Sequence, residues 1–132
     1  MTKKLTNTQF EIPAEFTEKV NSWRGKYKKI KYLDVNAVTD IDKEGNVKYT
    51  PGSVVFFRMP TRQEMSAAEN LSVGEAGQMD IYKKAEKLMV DCYLGGQLTL
   101  DEILNDIETY MAVAEFALYR LVERKNVNWG NC

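Results

Sequence analysis

The chain has 132 residues, of which 44% are apolar and 28% charged, and its 18 basic and 19 acidic side chains give a formal net charge of −1. This composition is typical of a single soluble globular domain, and the charge balance gives no overall attraction to nucleic acid or acidic membranes. The absence of histidine and the presence of only two cysteines remove the commonest general base, most zinc sites and a secreted disulfide scaffold. We expect a cytoplasmic protein with no signal peptide or membrane span, no catalytic activity, no metal and no cofactor.

The first half of the chain predicts a polar flexible arm, a helix and a small antiparallel meander. The arm covers residues 1–12, and the helix follows because Phe16, Val20 and Trp23 recur at helical spacing before Gly25. The meander has about three β-rich segments separated by turn sequences. Its strands are predicted at 28–38, 47–50 and 53–59, with turns at 42–46 and 51–52.

The second half predicts about three helices. Thr61 and Glu64 form a capping box that opens a helix to about Leu71, and Thr99 and Glu102 form another that opens the last helix. The predicted elements are a flexible link at 72–78, an amphipathic helix from Gln78 or Asp80 to Leu94, a long helix from Leu100 to about Glu123, and a flexible tail at 125–132. The order of helix, strands and helices indicates one α+β domain, with the helix and meander at 13–60 and the helical part at 61–124.

Residues 92–96, Cys-Tyr-Leu-Gly-Gly, raise the question of a reactive thiol beside a phosphate-binding loop. Helical periodicity places Cys92 on an apolar face near a helix C-terminus, which disfavours a thiolate. Gly95 and Gly96 follow a helix, whereas the glycines of a phosphate loop precede one. We therefore interpret Cys92 as a core residue and the glycines as the end of a helix, so that the stretch is a corner between two helices.

Basic and aromatic residues alternate between Trp23 and Tyr32. Lys26, Lys28, Lys29 and Lys31 form a cluster that suits nucleic-acid contact as an alternative function. Lysines are also typical of a solvated edge strand, where they discourage pairing with other chains. We favour the edge-strand interpretation, because the charge of the whole chain does not support nucleic-acid binding.

The last predicted helix is apolar beyond the stripe that we expect to face the core. That stripe consists of Leu100, Ile103, Leu104, Ile107, Met111, Ala114, Leu118 and Leu121. After Thr109 the off-stripe positions are also largely apolar, namely Ala112, Val113, Phe116 and Tyr119. A helix that is apolar on nearly all sides must be covered by the rest of the domain or by another chain. Both alternatives remain open at this point: the meander and the first helix cover this face, or these four residues bind a protein partner, which is our hypothesis for the site. A homo-oligomer remains open as well.

Two stretches resemble a known family. An apolar strand, a Pro-Thr turn and a helix at 54–72, VVFFRMPTRQEMSAAENLS, precede YKKAEKLMVDCYLGG at 82–96. This succession is similar to the small tail assembly chaperones of tailed bacteriophages and prophages, especially a group with a Cys-aromatic-Leu-Gly-Gly stretch. Cys92, Tyr93, Leu94, Gly95 and Gly96 match that stretch, although Gln97 stands where an acidic residue often follows.

The resemblance spans roughly residues 27–118 and implies a non-catalytic protein. Such chaperones bind the long helical tape measure protein and help the tail tube subunits to assemble around it. The implied partner is thus a tape measure or tail tube protein, and the Cys92 stretch is scaffold.

Overall fold

The computed structural model describes residues 11–36, 38–49, 52–74 and 80–132. Its helices are α1 (Thr17–Lys26), α2 (Arg62–Ser72), α3 (Ile81–Cys92), α4 (Leu100–Asn105) and α5 (Ile107–Tyr119). A 3-10 turn at Ala14–Phe16 precedes α1. Its strands are β1 (Ile30–Val35), β2 (Val38–Ile41), β3 (Val47–Tyr49), β4 (Ser53–Arg58) and β5 (Tyr93–Gly96). An N-terminal helix, a three-stranded antiparallel sheet and C-terminal helices confirm the predicted α+β class.

Parts of five predicted segments lie outside the described residues. These parts are residues 1–10 of the arm, residue 37 of the strand at 28–38, residue 50 of the strand at 47–50, Pro51 of the second turn, and residues 75–78 of the link, which include Gln78. The predicted tail is described, and residues 125–132 are exposed and contain no helix or strand.

The main sheet has the order β1-β4-β5, with β4 in the centre. Because successive side chains of a strand point to opposite faces, the apolar run of β4 is buried on both sides. Val55 and Phe57 join the main core, to which all four later helices contribute, whereas Val54 and Phe56 pack with Phe16 and other residues of the α1 segment. The sheet therefore lies between α1 and the helical half.

The third strand of this sheet differs from the prediction. The segment predicted at 47–50 contains β3, which pairs with β2 in a separate two-stranded ribbon. The free side of β4 pairs instead with β5, the Tyr-Leu-Gly-Gly segment that we had predicted as the end of a helix. Strand propensity identified β3 correctly, but propensity does not specify the strand with which a segment pairs.

Gly95 and Gly96 permit this pairing. We had expected them to end a helix, and that prediction is wrong. Helix α3 ends at Cys92, and both glycines have positive φ, 157° and 152°. A Cβ on Gly96 would lie 2.5 Å from the Val54 carbonyl oxygen, and one on Gly95 would lie 3.2 Å from the Trp23 ring. The glycines are therefore needed for close approach to β4 and α1.

The predicted capping boxes are confirmed, but the last helix is interrupted. Thr61 with Glu64 and Thr99 with Glu102 form both reciprocal hydrogen bonds of a capping box. The helix predicted from Leu100 to Glu123 divides at Asp106, whose backbone is extended (φ −112°, ψ 115°). The Asp106 side chain caps α5 by accepting from the Thr109 amide at 3.1 Å, so α5 begins with a new helical phase.

Candidate functional site

Cys92 lies in the main core and is 0% exposed. Burial raises the pKa of its thiol to about 11, and the nearby Arg58 guanidinium opposes this shift only in part. The thiol is therefore protonated near neutral pH, and a protonated thiol is a poor nucleophile. The position fits the predicted core role of Cys92, and Tyr93 supports the same corner by donating from its hydroxyl to the Leu98 carbonyl at 2.5 Å.

Arg58, at the end of β4, joins several elements through one guanidinium. It donates to both carboxylate oxygens of Glu64 in α2, at 2.8 and 2.7 Å, and to the Asp91 carbonyl in α3 at 2.6 Å. The guanidinium also lies 5.5 Å from the centre of the Tyr27 ring. Hydrogen bonding to Arg58 holds the pKa of Glu64 at about 2. Because protein groups already occupy these contacts, we assign Arg58 and Glu64 a structural role.

The predicted partner face of the last helix is divided by the structure. Val113 and Phe116 are buried in the main core, and the Phe116 ring centre lies 5.4 Å from that of Phe57. Ala112 is exposed, and Tyr119 is 66% exposed. The expectation that all four residues share an accessible face is therefore wrong, because the break at Asp106 changes the phase of α5.

The same change of phase exposes residues that we had predicted to be buried. Ile107 is 69% exposed and Met111 is 43% exposed, although both belong to the apolar stripe expected to face the core. They flank Tyr110 on α5, whose ring centre lies 6.1 Å from that of Tyr82 on α3. We call Tyr82, Ile107, Tyr110 and Met111 the α3–α5 strip. Its sequence marker is Asp106, a favoured helix N-cap within an otherwise continuous helical pattern.

Polar groups hold and border the α3–α5 strip. The Tyr110 hydroxyl lies 3.0 Å from a carboxylate oxygen of Glu86. Partial burial and this hydrogen bond raise the pKa of Tyr110 to about 12, so the tyrosine remains a donor at neutral pH. Glu108 and Glu115 are exposed one helical turn before and after Met111. The strip is therefore an apolar surface with an acidic border.

The basic cluster lies at and before β1, which is an edge strand of the main sheet. Lys26, Lys28 and Lys29 are exposed. Lys31 is less accessible, because its ammonium donates to the Arg120 carbonyl at 2.6 Å and lies 3.2 Å from a carboxylate oxygen of Glu123. The structure thus brings the cluster next to the C-terminal end of α5, a neighbour that the sequence pattern did not indicate.

No protein-family model, curated protein or solved structure compared with the chain matches it. None of the helices formed by the described residues is long and apolar enough to cross a membrane. Across residues 11–36, 38–49, 52–74 and 80–132, no three His, Cys, Asp or Glu side chains are grouped so that they could hold a metal ion. Two surfaces bear on the candidate functions: the exposed apolar α3–α5 strip and the basic edge of β1.

Proposed function

We propose that this protein is a non-catalytic assembly chaperone that binds helical segments of a tape measure protein in the host cytoplasm during tail morphogenesis, as its sequence resemblance implies. The single observation that supports this most directly is the α3–α5 strip. Exposed apolar side chains on two packed helices are typical of a surface that receives the apolar face of another helix.

The composition of the strip favours a particular kind of helix. Met111 is flexible and polarisable, and it can adapt to apolar side chains of different shapes. Tyr82 and Tyr110 add large aromatic surfaces that lose little conformational entropy on binding. Because Glu86, Glu108 and Glu115 border these residues, the preferred ligand is an amphipathic helix with basic residues beside its apolar stripe.

Substitution of Met111 tests this site. Co-expression with overlapping segments of a tape measure protein should capture at least one helical segment, and Met111→Glu should reduce its recovery by about tenfold or more, since the variant places a charge on apolar contact surface. Pull-down measures the recovery, and circular dichroism checks that the variant is folded. Val127→Glu is the matched control, because Val127 is 76% exposed and lies outside every helix and strand.

Two outcomes would contradict the proposal. Equal recovery with Met111→Glu and Val127→Glu would remove the α3–α5 strip as the binding site. Failure to capture any segment, together with a gene neighbourhood that lacks a long helical reading frame and a tail tube gene, would contradict the chaperone function itself. Phe116→Asp is unsuitable here, because Phe116 is buried and the variant should unfold.

A further inference from the structure

The α3–α5 strip and the C-terminal segment, residues 124–132, expose large apolar side chains at the same time. On the strip, Ile107 is 69% exposed and Met111 is 43% exposed. In the C-terminal segment, Trp129 is 88% exposed, and every residue is exposed and outside any helix or strand. Exposed apolar groups of this size are typical of interaction surfaces, and tryptophan is among the residues that most often anchor an interface.

The charges of the strip and of the C-terminal segment are complementary. Residues 101–119, which include the α5 side of the strip, contain five acidic side chains and no basic one. The α3 side is balanced, with three basic and three acidic side chains at 80–92. The C-terminal segment contains two basic side chains, Arg124 and Lys125, and no acidic one. Its cations are therefore attracted to the α5 side of the strip when Trp129 contacts the apolar part.

The C-terminal segment starts on a different side of α5 from the strip. Lys31 of β1 donates to the Arg120 carbonyl at 2.6 Å and lies 3.2 Å from a carboxylate oxygen of Glu123, so the chain leaves α5 beside β1. The strip lies on the α3 side, where the Tyr110 ring meets α3. The segment would have to pass across α5 to reach the strip of its own chain, and Trp129 is exposed instead. The strip of a second copy can be reached without that crossing, whereas two strips in contact would bring their acidic borders together.

We propose that the C-terminal segment of one copy binds the α3–α5 strip of a second copy. Trp129 packs against Met111, and Arg124 and Lys125 lie beside the acidic border of the strip. Reciprocal exchange of two segments closes a symmetric dimer. The segment is short compared with the roughly 20–30 residues that each partner contributes to a stable interface, so the dimer is weak and a client helix can displace the segment. This contact uses the same strip as the proposed function, but it does not require that the client be a tape measure protein.

Two single variants separate the two halves of the contact. Met111→Glu disables the strip and keeps the C-terminal segment, whereas Trp129→Ser disables the segment and keeps the strip. Sedimentation velocity of the wild type, with a reductant so that the exposed Cys132 cannot link two chains, should show a monomer–dimer equilibrium. Each single variant should weaken the dimer by about tenfold or more, because a central apolar contact is lost.

A mixture of the two variants tests the pairing itself. When unlabelled Met111→Glu is added to isotope-labelled Trp129→Ser, one intact segment meets one intact strip. Amide chemical shifts of the labelled protein should then change at residues 107–111, since chemical shifts detect weak contacts. The unlabelled double variant Met111→Glu/Trp129→Ser is the matched control and should cause no change there. Circular dichroism checks that all the variants are folded.

The charges are tested separately. The dimer should weaken as salt increases, and Arg124→Glu/Lys125→Glu should weaken it by about tenfold or more. Lys28→Glu/Lys43→Glu is the matched control: it makes the same change of net charge at exposed positions elsewhere, and it should change the affinity less than about threefold.

Several outcomes would overturn the proposal. They are a wild type that stays monomeric, a dimer that survives in either single variant, and equal chemical-shift changes with Met111→Glu and with the double variant. A monomeric wild type that captures a tape measure segment would overturn this contact and leave the proposed function standing. A dimer formed as described that captures no such segment would contradict the proposed function alone.

Discussion

At the scale of single residues, the Arg58–Glu64 pair gives the Phe-Phe-Arg-Met-Pro-Thr stretch a physical role. Glu64 serves both the capping box of α2 and the guanidinium of Arg58, while Arg58 also reaches the carbonyl of Asp91. The end of β4, the start of α2 and the end of α3 are thereby held at one point. Removal of one partner leaves the other charge half-buried, and this loss is more costly than the loss of an exposed ion pair.

Glu64→Gln tests this contribution: the glutamine oxygen still accepts the capping hydrogen bond, while the charge and one of the two hydrogen bonds from Arg58 are lost. We expect the free energy of unfolding at neutral pH to fall by about 1–2 kcal/mol, with allowance for solvent screening. Urea denaturation measures the change. Glu108→Gln is the control: Glu108 is exposed on the first turn of α5, and its substitution should cost less than about 0.5 kcal/mol.

The same pair sets a dependence on pH. The pKa of Glu64 in the folded protein is about 2, below its ordinary value of 4.5, so its stabilisation is fully present above about pH 4.5 and is lost as the pH falls towards 2. The difference in unfolding free energy between the wild type and Glu64→Gln should narrow over that range. A difference that stays constant down to pH 2 would show that the ion pair does not contribute.

At the scale of elements, Gly96 determines whether β5 can join the sheet. A side chain there would meet both the Val54 carbonyl oxygen and the Val55 backbone, and the φ of 152° is strained for any residue with a Cβ. Gly96→Ala should therefore lower the unfolding free energy by about 3 kcal/mol. Gly25→Ala should have no destabilising effect, since Gly25 lies within α1 and a Cβ there would meet nothing within 4 Å beyond its chain neighbours and the backbone of its own helix. Thermal denaturation of both variants makes the comparison.

The elements that sequence predicts well are those determined by local interactions. The structure confirms three predicted helix starts, because a cap is made by residues close in sequence. They are marked by Thr61 with Glu64, by Asp80, and by Thr99 with Glu102. Strand pairing is not local. A Gly-Gly pair after a helical pattern is typical of a helix end, and only pairing with Val55 and Phe56 of β4 makes Gly95 and Gly96 part of a strand.

The candidate site depends on a local helix-start signal, Asp106, that our prediction of one continuous helix missed. Asp106 lies within a continuous apolar pattern, so periodicity extends the helix through it. Its extended backbone restarts the helix, which buries Val113 and Phe116 and exposes Ile107 and Met111. Of the four residues that we predicted for an accessible face of this helix, only Ala112 and Tyr119 are exposed.

At the scale of the whole molecule, the α3–α5 strip and the edge of β1 have opposite local charges. This is why the net charge of the chain did not predict either surface. The α3–α5 strip has an acidic border, while basic residues flank the edge of β1. A net charge of −1 is the sum of these regions and describes neither of them. Local charge, after folding has brought distant segments together, is the quantity that relates to a partner.

Cys92 offers a measure of the integrity of the whole fold. The thiol is fully buried in the main core, whereas Cys132 is exposed. In a Cys132→Ser variant, a thiol reagent should react with Cys92 only as rapidly as the protein opens. The Cys92 thiol should become reactive over the same range of urea concentration in which the helical circular dichroism is lost. Immediate reaction under native conditions would contradict the buried position of Cys92.

Strand β4 contributes buried side chains to both hydrophobic clusters, yet it is completed by a strand that is synthesised much later. Val55 pairs with Gly96, so when β4 leaves the ribosome, one of its edges and the apolar side chains of its helix-facing side have no partner. The free edge of β4 remains unpaired until translation has passed β5, and the main core is still without α4 and α5 at that point. The central sheet and the main core can therefore be completed only after residues 93–119 have been synthesised.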